Sequence, residues 1–230
     1  MSSEFHGFLS VHKAVGESSY DVIRKIKKVI PEKKIGHAGT LDPFAEGLLI
    51  IAIGRNYTKQ ITTFQELPKR YQFTISLGTT TDTLDRTGNI TERKNIPLLD
   101  DKEIKTLLKS FIGQQEQLPP AYSAKKINGK PAYKLARAGK EVELKPTTIT
   151  IHELKLISIE QNKEKTDVTL NSLVSKGTYI RTLSADIAKK LNTVGHTKEL
   201  IRSHIGDFST SNALLSEHIT AEDIKLNLKK

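Results

Sequence analysis

Hydrophobic residues recur along the chain with two periods, one typical of helices and one typical of strands. In "SSYDVIRKIKKVI", apolar residues return every three or four positions, which predicts a helix with Ser18 or Ser19 as its N-cap. The predicted buried face of this helix comprises Val22, Ile23, Ile26, Val29 and Ile30. In "RYQFTISLG", apolar and polar residues alternate, which predicts a strand that ends at Gly78.

Further stretches predict the rest of the framework. The apolar run from Leu48 to Ile53 is rich in β-branched residues, which favours a strand covered on both faces. "DDKEIKTLLKSFIG" predicts a helix with Asp100 and Glu103 as a capping box and Gly113 as its stop. "TTITIHELKLISIE" and "DVTLNSLVS" predict strands, and "YIRTLSADIAKKL" predicts a helix.

The segment from Pro119 to Lys145 has neither pattern. It includes "AYSAKKINGKPAYKLARAG" and is rich in Lys, Arg, Gly and Tyr but poor in large aliphatic residues. Basic residues interleaved with aromatic ones, here Tyr122 and Tyr133, are typical of surfaces that bind RNA. We therefore predict an exposed basic insertion at about 119–145 that contacts RNA; the alternative is an ordinary solvated hairpin or loop.

Composition narrows the class of protein. The 230 residues carry a net charge of +10, which favours an anionic partner such as nucleic acid. The chain has no cysteine, which excludes disulfides, thiolate catalysis and cysteine-ligated zinc. The N-terminal residues lack the features of a signal peptide, and the longest apolar run is too short to span a bilayer. These features predict an intracellular, cytoplasmic protein.

The stretch "GHAGTLDPFAEGLLIIAIG" places one carboxylate, Asp42, between glycines and the predicted buried strand. Pro43 disfavours a helical backbone at Asp42, and Gly36 and Gly39 allow conformations that let another molecule approach. A loop carried by a rigid scaffold is a common setting for a functional residue. The alternative is a turn in which the Asp42 carboxylate caps a nearby backbone N–H.

The neighbouring residues do not complete several other kinds of site. A two-carboxylate glycosidase needs a partner acid across the substrate, and Pro43 and Gly47 disfavour a helix face shared by Asp42 and Glu46. His37 and Asp42 alone are too few to ligate a metal, and the chain has no phosphate-binding Gly-Lys-Ser/Thr loop. Local reasoning leaves Asp42 as either a structural residue or a nucleophile.

Longer motifs resemble those of a known family. "GHAGTLDPFAEGLL" resembles the catalytic motif of the TruB family of tRNA pseudouridine synthases, which isomerise the uridine at position 55 in the T loop of tRNA. "KRYQFTISLGTTTDTLDRTG" and "SKGTYIRTLSADI" are similar to two further family signatures, and "AYSAKKINGKPAYKLARAG" is similar to the family's RNA-clasping insertion. "GHTKELIRSHIGDF" matches the next segment, so the resemblance runs from about Lys13 to Phe208.

The resemblance implies a catalytic pair. Asp42 matches the family's catalytic aspartate, and Arg181 matches the arginine that pairs with it. The reaction breaks the C1′–N1 glycosidic bond, turns the uracil and rejoins it through C5. An ionised Asp42 suits this reaction as a nucleophile at the sugar or at C6 of the ring, or as a base at the sugar that gives a glycal intermediate.

The resemblance also implies four substrate-binding residues. His37 matches the residue that packs into the T loop beside the displaced uridine, and Tyr71 matches the tyrosine stacked on the target base. Tyr179 matches a pocket tyrosine, and Leu200 matches an apolar pocket wall.

The implied fold is α/β (α+β) of the pseudouridine synthase type, with a long mixed, mostly antiparallel sheet, flanking helices and an active-site cleft across the sheet. The insertion would close over RNA, with Lys125, Lys126 and Lys130 as phosphate contacts. We expect residues 1–230 to form a single catalytic domain that needs no metal or organic cofactor.

Two features depart from the family pattern. Ala14 stands where the family's Lys-Pro-x-Gly stretch has proline, so the resemblance assigns no role to Lys13. Family members often continue into a small C-terminal RNA-binding domain, whereas this chain ends soon after Phe208 in the polar tail "TAEDIKLNLKK". We therefore expect no separate C-terminal RNA-binding domain.

The expected partner is the T-arm stem-loop of tRNA. Guide-RNA-dependent relatives resemble the chain elsewhere but lack the insertion, so we expect a stand-alone enzyme with no guide RNA and no obligate protein partner. We expect a monomer because no long apolar amphipathic surface is left over, and we expect no membrane association because the longest apolar run is too short to span a bilayer. Two rival classes are a non-catalytic RNA-binding protein and a guide-dependent catalytic subunit. Asp42 and Arg181 argue against the first class, and the insertion argues against the second.

Overall fold

A computed structural model of the chain describes residues 4–127, 129–140, 142–162 and 166–230. Asn128 and Glu141, which belong to the predicted insertion, lie outside the described residues. In chain order, the strands are β1 (Gly7–Lys13), β2 (Ile35–Ala38), β3 (Glu46–Ile53), β4 (Lys69–Leu77), β5 (Thr79–Thr81), β6 (Ile90–Arg93), β7 (Gly113–Gln117), β8 (Lys126–Ile127), β9 (Lys130–Pro131), β10 (Thr147–Gln161), β11 (Thr166–Val174), β12 (Gly195–Ile205), β13 (Phe208–Ser209) and β14 (Leu214–Leu215). The helices are α1 (Ser19–Val29), α2 (Arg55–Thr58), α3 (Ile61–Glu66), α4 (Asp101–Lys109), α5 (Ala132–Arg137), α6 (Ile180–Lys190) and α7 (Ala221–Asn227).

The chain divides into two compact units. The first comprises Met1–Tyr71 and Leu200–Lys230, and the second comprises Gln72–Glu199. The chain passes from one unit to the other inside β4 and again inside β12. Both units combine helices with mostly antiparallel strands, which confirms the predicted α/β class. That residues 1–230 act as a single catalytic domain stays a prediction.

Strand β3 is the centre of the first unit. It pairs antiparallel with β1 and with β2, and its first residues pair in parallel with β12. Every residue from Gly47 to Ile53 is buried, as predicted for an apolar strand covered on both faces. Leu49 lies in one hydrophobic cluster with residues of α1, whereas Leu48 lies in a second cluster with a residue of α3.

Helix α1 supplies one of these coverings. Ser18 caps its N-terminus in a capping box with Asp21. The predicted apolar face is buried at Val22, Ile23, Ile26 and Ile30. Val29 is the exception at 38% exposed, because the helix ends at this residue and Ile30 continues in an extended conformation.

The second unit contains a sheet in the order β4, β11, β10 and β7. Strand β10 pairs antiparallel with both of its neighbours. The apolar face predicted for β4 is confirmed, since Phe73, Ile75 and Leu77 are buried; on the polar face Gln72 is exposed, but Thr74 is buried. In the insertion, β8 and β9 form a two-stranded hairpin, and α5 follows it.

Helix α4 shows where the sequence prediction was imprecise. Asp100 caps its N-terminus by accepting the backbone N–H groups of Lys102 and Glu103. The helix ends at Lys109, and Gly113 does not stop it but begins β7, with a φ of 111° that favours glycine. A short turn therefore separates the end of α4 from β7. Within the described residues, no helix has both the length and the hydrophobicity needed to cross a membrane.

Helix α7 contributes to the core of the first unit through Ile224, which is 0% exposed in the cluster that contains residues of α1 and β3. Ile224→Ala should lower the free energy of unfolding by about 2–5 kcal/mol, because it removes packing and leaves a cavity. Leu226→Ala on the same helix is the matched control, since Leu226 is 75% exposed. Urea unfolding measures both, and equal losses would contradict the packing of α7.

Candidate active site

Asp42 lies on the loop between β2 and β3, held at the surface by buried neighbours. Leu41 and Phe44 are 2% and 4% exposed, whereas Asp42 is half-buried and Pro43 is exposed. The Ala45 N–H donates to the Asp42 carbonyl over 3.1 Å, which closes a turn around the carboxylate-bearing residue. The apolar side chains of Leu41 and Phe44 thus anchor the loop that carries Asp42.

The loop is joined to the N-terminus of α1. The Leu41 N–H donates to Ser19 Oγ over 2.9 Å, and that hydroxyl donates in turn to the Leu41 carbonyl over 3.3 Å. The Gly16 N–H donates to the Pro43 carbonyl over 2.7 Å. Both sides of Asp42 are therefore bonded to the segment that leads into α1.

Lys13 reinforces this junction, although sequence reasoning assigned it no role. Its side chain is 0% exposed, and its ammonium donates to the carbonyls of Ala14 (2.8 Å), Glu17 (2.8 Å) and Ala45 (2.5 Å). Burial lowers the pKa of Lys13 from 10.5 to about 8, while the charges of Glu17 and Asp42 act in the opposite direction. At pH 7 Lys13 is therefore mainly cationic and fixes the loop beside Asp42.

Arg202 is a second buried cation that sequence reasoning missed. It is 1% exposed; its Nε donates to the Leu48 carbonyl over 2.8 Å, and Nη2 donates to the Gly39 carbonyl over 3.0 Å. Arg202 lies opposite Gly47 in the β3–β12 pairing. Gly47 has a φ of 111°, and a Cβ there would overlap the Arg202 backbone, so only glycine allows the two strands to approach.

His37 lies on β2, at the start of the same loop region. Burial lowers the pKa of His37, and the charge of Arg202 adds to this effect, so the imidazole is neutral at pH 7. Its Nδ1 is buried and has no hydrogen-bond partner among the described residues. The His37 imidazole is therefore an uncharged aromatic ring beside the loop.

Tyr71 and Leu200 are buried residues of the first unit, 9% and 7% exposed, on β4 and β12 respectively. The first unit thus holds four of the predicted site residues, which are Asp42, His37, Tyr71 and Leu200. Tyr179 and Arg181 belong to the second unit. The stacking role of Tyr71 and the pocket role of Leu200 stay predictions.

Arg181 is 3% exposed, and two of its guanidinium nitrogens donate to backbone carbonyls of the second unit. Nη1 donates to the Thr83 carbonyl and Nη2 donates to the Tyr122 carbonyl, each over 2.8 Å. Nη1 also lies 3.7 Å from Oδ2 of the buried Asp85, which forms an ion pair with it. The predicted pairing of Arg181 with Asp42 joins residues of the two units and stays a prediction.

Asp85 is a further residue that sequence reasoning missed. Its Oδ1 accepts hydrogen bonds from Thr83 Oγ1 (2.9 Å), the Thr87 N–H (2.9 Å) and Thr87 Oγ1 (2.6 Å). Leu84 has a φ of 60°, a left-handed conformation that is rare for a residue of this size. The hydroxyl-rich sequence "TDTLDRTG" was the available signal, because such residues satisfy a buried carboxylate.

The insertion lysines differ in their surroundings. Lys126 and Lys130 are exposed on the β8–β9 hairpin. Lys125 is half-buried, and its ammonium donates to the Lys145 carbonyl over 3.1 Å, which links the two ends of the insertion. Among the described residues, Lys125 therefore has a hydrogen bond within the insertion, whereas Lys126 and Lys130 contribute to the hairpin as strand residues.

A family model described as TruB family pseudouridylate synthase (N terminal domain) matches residues 27–180, well over half of the chain. The chain belongs to this family. Members of the family are isomerases that convert uridine to pseudouridine.

Relatives with a known name cover most of the chain. It is 43% identical over 213 residues to tRNA pseudouridine synthase B of Caldanaerobacter subterraneus subsp. tengcongensis, a match that covers 93% of this chain and 73% of that relative. It is 41% identical over 219 residues to the protein of the same name from Bacillus subtilis (strain 168), covering 94% and 71%. It is 40% identical over 218 residues to tRNA pseudouridine synthase B of Desulfotalea psychrophila, a match that covers 94% of this chain and 89% of that relative.

Solved structures share the fold. The chain matches one in a "Cbf5-Nop10-Gar1 Complex" with a TM-score of 0.74 and 22% identity, covering 99% of this chain and 60% of that one. It matches a second, from an "H/ACA RNP bound to a substrate RNA containing 2'-deoxyuridine", with a TM-score of 0.68 and 22% identity. That match covers 96% of this chain and 58% of the other. These matches and the family membership confirm the predicted pseudouridine synthase fold.

Lys13→Met should lower the free energy of unfolding at neutral pH by about 2 kcal/mol or more, because buried carbonyl oxygens lose their donor. The pKa of Lys13 in the folded protein lies at about 8, below 10.5, so the unfolded chain binds more protons between these values. The contribution of Lys13 to stability therefore increases as pH rises through this window, and the deficit of the variant should widen.

Urea unfolding of both proteins on either side of pH 8 measures this effect. Lys28→Met, which removes an exposed lysine of α1, is the matched control and should leave stability nearly unchanged. A deficit that shrinks with rising pH would contradict the description of Lys13.

Proposed function

We propose that the chain is a tRNA pseudouridine synthase that isomerises the uridine at position 55 of the T loop, with Asp42 as the catalytic carboxylate. The observation that carries this proposal is the Asp42 loop, in which buried Lys13 and Arg202 hold the backbone on either side of one half-buried aspartate. The relatives named tRNA pseudouridine synthase B, at 40–43% identity, support tRNA as the substrate.

The chemistry requires an ionised carboxylate that acts while the glycosidic bond is broken and remade. Asp42 attacks C1′ of the sugar or C6 of the uracil, or removes a proton from the sugar to give a glycal; each route uses the same residue. An aspartate has an ordinary pKa of about 3.9 and is therefore ionised at neutral pH. Attraction between the charges of Asp42 and Lys13 favours that ionised form.

The target uridine must leave the base stack to reach Asp42. Extrusion of a base costs a few kcal/mol, and stacking on one aromatic ring recovers about 1–3 kcal/mol. We assign the stacking to Tyr71 and the filling of the vacated space to His37, whose neutral ring avoids placing a charge among the bases. Tyr179 and Leu200 complete the pocket in this proposal, and Arg181 pairs with Asp42.

The proposal includes the partner and the setting. The enzyme acts on the T-arm stem-loop as a monomer in the cytoplasm, without metal, organic cofactor, guide RNA or protein partner. The basic insertion supports direct recognition of RNA, because its hairpin presents Lys126 and Lys130 to solvent. The likeness to the complexes with Nop10 and Gar1, at 22% identity, concerns the fold alone.

Asp42→Asn tests the catalytic assignment. With an unmodified T-arm stem-loop, the substitution should reduce pseudouridine formation by at least about 1,000-fold, because the amide cannot replace the carboxylate. Binding of the stem-loop should be largely retained, since the side chain keeps its size. Nucleoside analysis of digested RNA measures conversion, and fluorescence anisotropy measures binding.

Asp207→Asn is the matched control, because Asp207 is an exposed aspartate of the same unit. Full activity of Asp42→Asn would remove Asp42 from the mechanism. A wild-type protein that binds the stem-loop but never converts it would favour the rival class, a non-catalytic RNA-binding protein.

The insertion proposal rests on Lys126 and Lys130. Replacing both by Ala should weaken stem-loop binding and reduce the slope of log affinity against log salt by about 1.4–1.8, since each lost phosphate contact removes about 0.7–0.9. Lys102 and Lys109, both exposed on α4, give a control pair with the same change in charge. An equal change in slope for both pairs would favour the alternative that the insertion is an ordinary solvated loop without a specific role in RNA binding.

A further inference from the structure

Gln117 is a buried residue whose side-chain amide forms hydrogen bonds with the backbone of Tyr179. Among the described residues, both polar atoms of the amide bond to Tyr179 alone. Gln117 is the last residue of β7 and is 4% exposed. The Tyr179 N–H donates to Gln117 Oε1 over 2.8 Å, and Gln117 Nε2 donates to the Tyr179 carbonyl over 3.1 Å. The backbone donor and acceptor fix the orientation of the amide, because the reversed amide would place like groups together.

These bonds act where α6 begins. Tyr179 is the N-cap residue of α6, and its own side chain makes no capping hydrogen bond. The Tyr179 carbonyl also accepts the Leu183 N–H over 3.1 Å, so it is the first acceptor of the helix. Gln117 therefore fixes both peptide groups of Tyr179, which set the direction in which the side chain leaves the helix.

The same contact lies at the base of the insertion. Immediately after Gln117, the Leu118 carbonyl accepts the Thr182 hydroxyl over 3.3 Å. Further along, the Tyr122 carbonyl accepts Arg181 Nη2. Four hydrogen bonds thus join the start of α6 to residues 117–122, and Gln117 makes the two that involve Tyr179.

We propose that Gln117 is a positioning residue for pseudouridine formation: its amide holds the backbone of Tyr179, and through it the start of α6, in the geometry that the reaction needs. This inference rests on the proposed function, in which Tyr179 lines the uridine pocket and Arg181 lies two residues further along α6. Small displacements of a reacting group reduce rates far more than they reduce binding, which gives the role a kinetic signature.

Gln117→Met keeps the size of the side chain and removes both hydrogen bonds. It should lower kcat for conversion of a T-arm stem-loop by about 10- to 100-fold, with little change in the dissociation constant of the stem-loop. Gln115→Met is the matched control, because Gln115 lies on the same strand and its Nε2 donates to a different backbone carbonyl, that of Phe111, over 2.7 Å. The control should lose a similar amount of thermal stability and retain its kcat.

Gln117→Glu gives a second readout that a packing role would not produce. A protonated glutamic acid has the shape of glutamine and can both donate to the Tyr179 carbonyl and accept the Tyr179 N–H. A carboxylate can only accept. The ratio of the variant's kcat to that of wild type should therefore rise as pH falls from about 8 to about 5.5, since burial raises the pKa of a carboxyl group. The charged groups around this contact, Glu116, Asp85 and Arg181, are common to both proteins, so their effect on kcat cancels in the ratio.

The outcomes separate this inference from the proposed function. If wild type does not convert the stem-loop, the proposed function fails before Gln117 is tested. If wild type converts it and Gln117→Met keeps the kcat of Gln115→Met, Gln117 is not a positioning residue. A Gln117→Glu ratio that is independent of pH would overturn the inference as well, even if Gln117→Met failed to fold.

Discussion

Lys13 and Arg202 are buried cations of the first unit. Backbone carbonyls of the loop around Asp42 accept hydrogen bonds from both of them. A buried cation is costly unless its donors are satisfied, so each of these residues confines the carbonyls that it contacts. Lys13 reaches Ala45 just after Asp42, and Arg202 reaches Gly39 just before it. The position of the carboxylate follows from these two contacts and from the buried strand that follows the loop.

The second unit uses similar chemistry around Arg181. Its guanidinium lies against the carbonyls of Thr83 and Tyr122 and beside the carboxylate of Asp85, and threonine hydroxyls satisfy that carboxylate. The amide of Gln117 holds the start of α6 through its hydrogen bonds to the Tyr179 backbone. Both units therefore hold their candidate site residues through polar contacts to backbone groups.

The apolar framework could be predicted from the sequence because periodicity records burial directly. The run that forms β3 and the alternation along β4 both correspond to buried faces. Val29 was predicted to be buried because the periodic pattern continues past the point where α1 ends. Gly113 was predicted to stop α4 because glycine commonly follows the last turn of a helix, whereas here it begins β7 with a φ of 111°.

The polar supports of the site could not be predicted in the same way. Lys13 and Arg202 look like solvent-facing charges in the sequence, and Arg202 contacts residues more than 150 positions away. Gln117 and Tyr179 are separated by 62 positions. Asp42 was a candidate from its loop alone, but its role and the assignment of the other site residues came only from extended motifs that resemble the TruB family; these residues are His37, Tyr71, Tyr179, Arg181 and Leu200. Neither periodicity nor composition distinguishes these residues from ordinary ones.

The proposed function requires that this chain alone isomerises one particular uridine of tRNA. The most direct test incubates purified wild-type protein with an unmodified tRNA transcript, without cofactor or guide RNA. Pseudouridines are then mapped by carbodiimide labelling and reverse transcription. The proposed function predicts one modified site, at position 55 of the T loop. Modification at other uridines instead, or no modification of a tRNA that the protein binds, would contradict it.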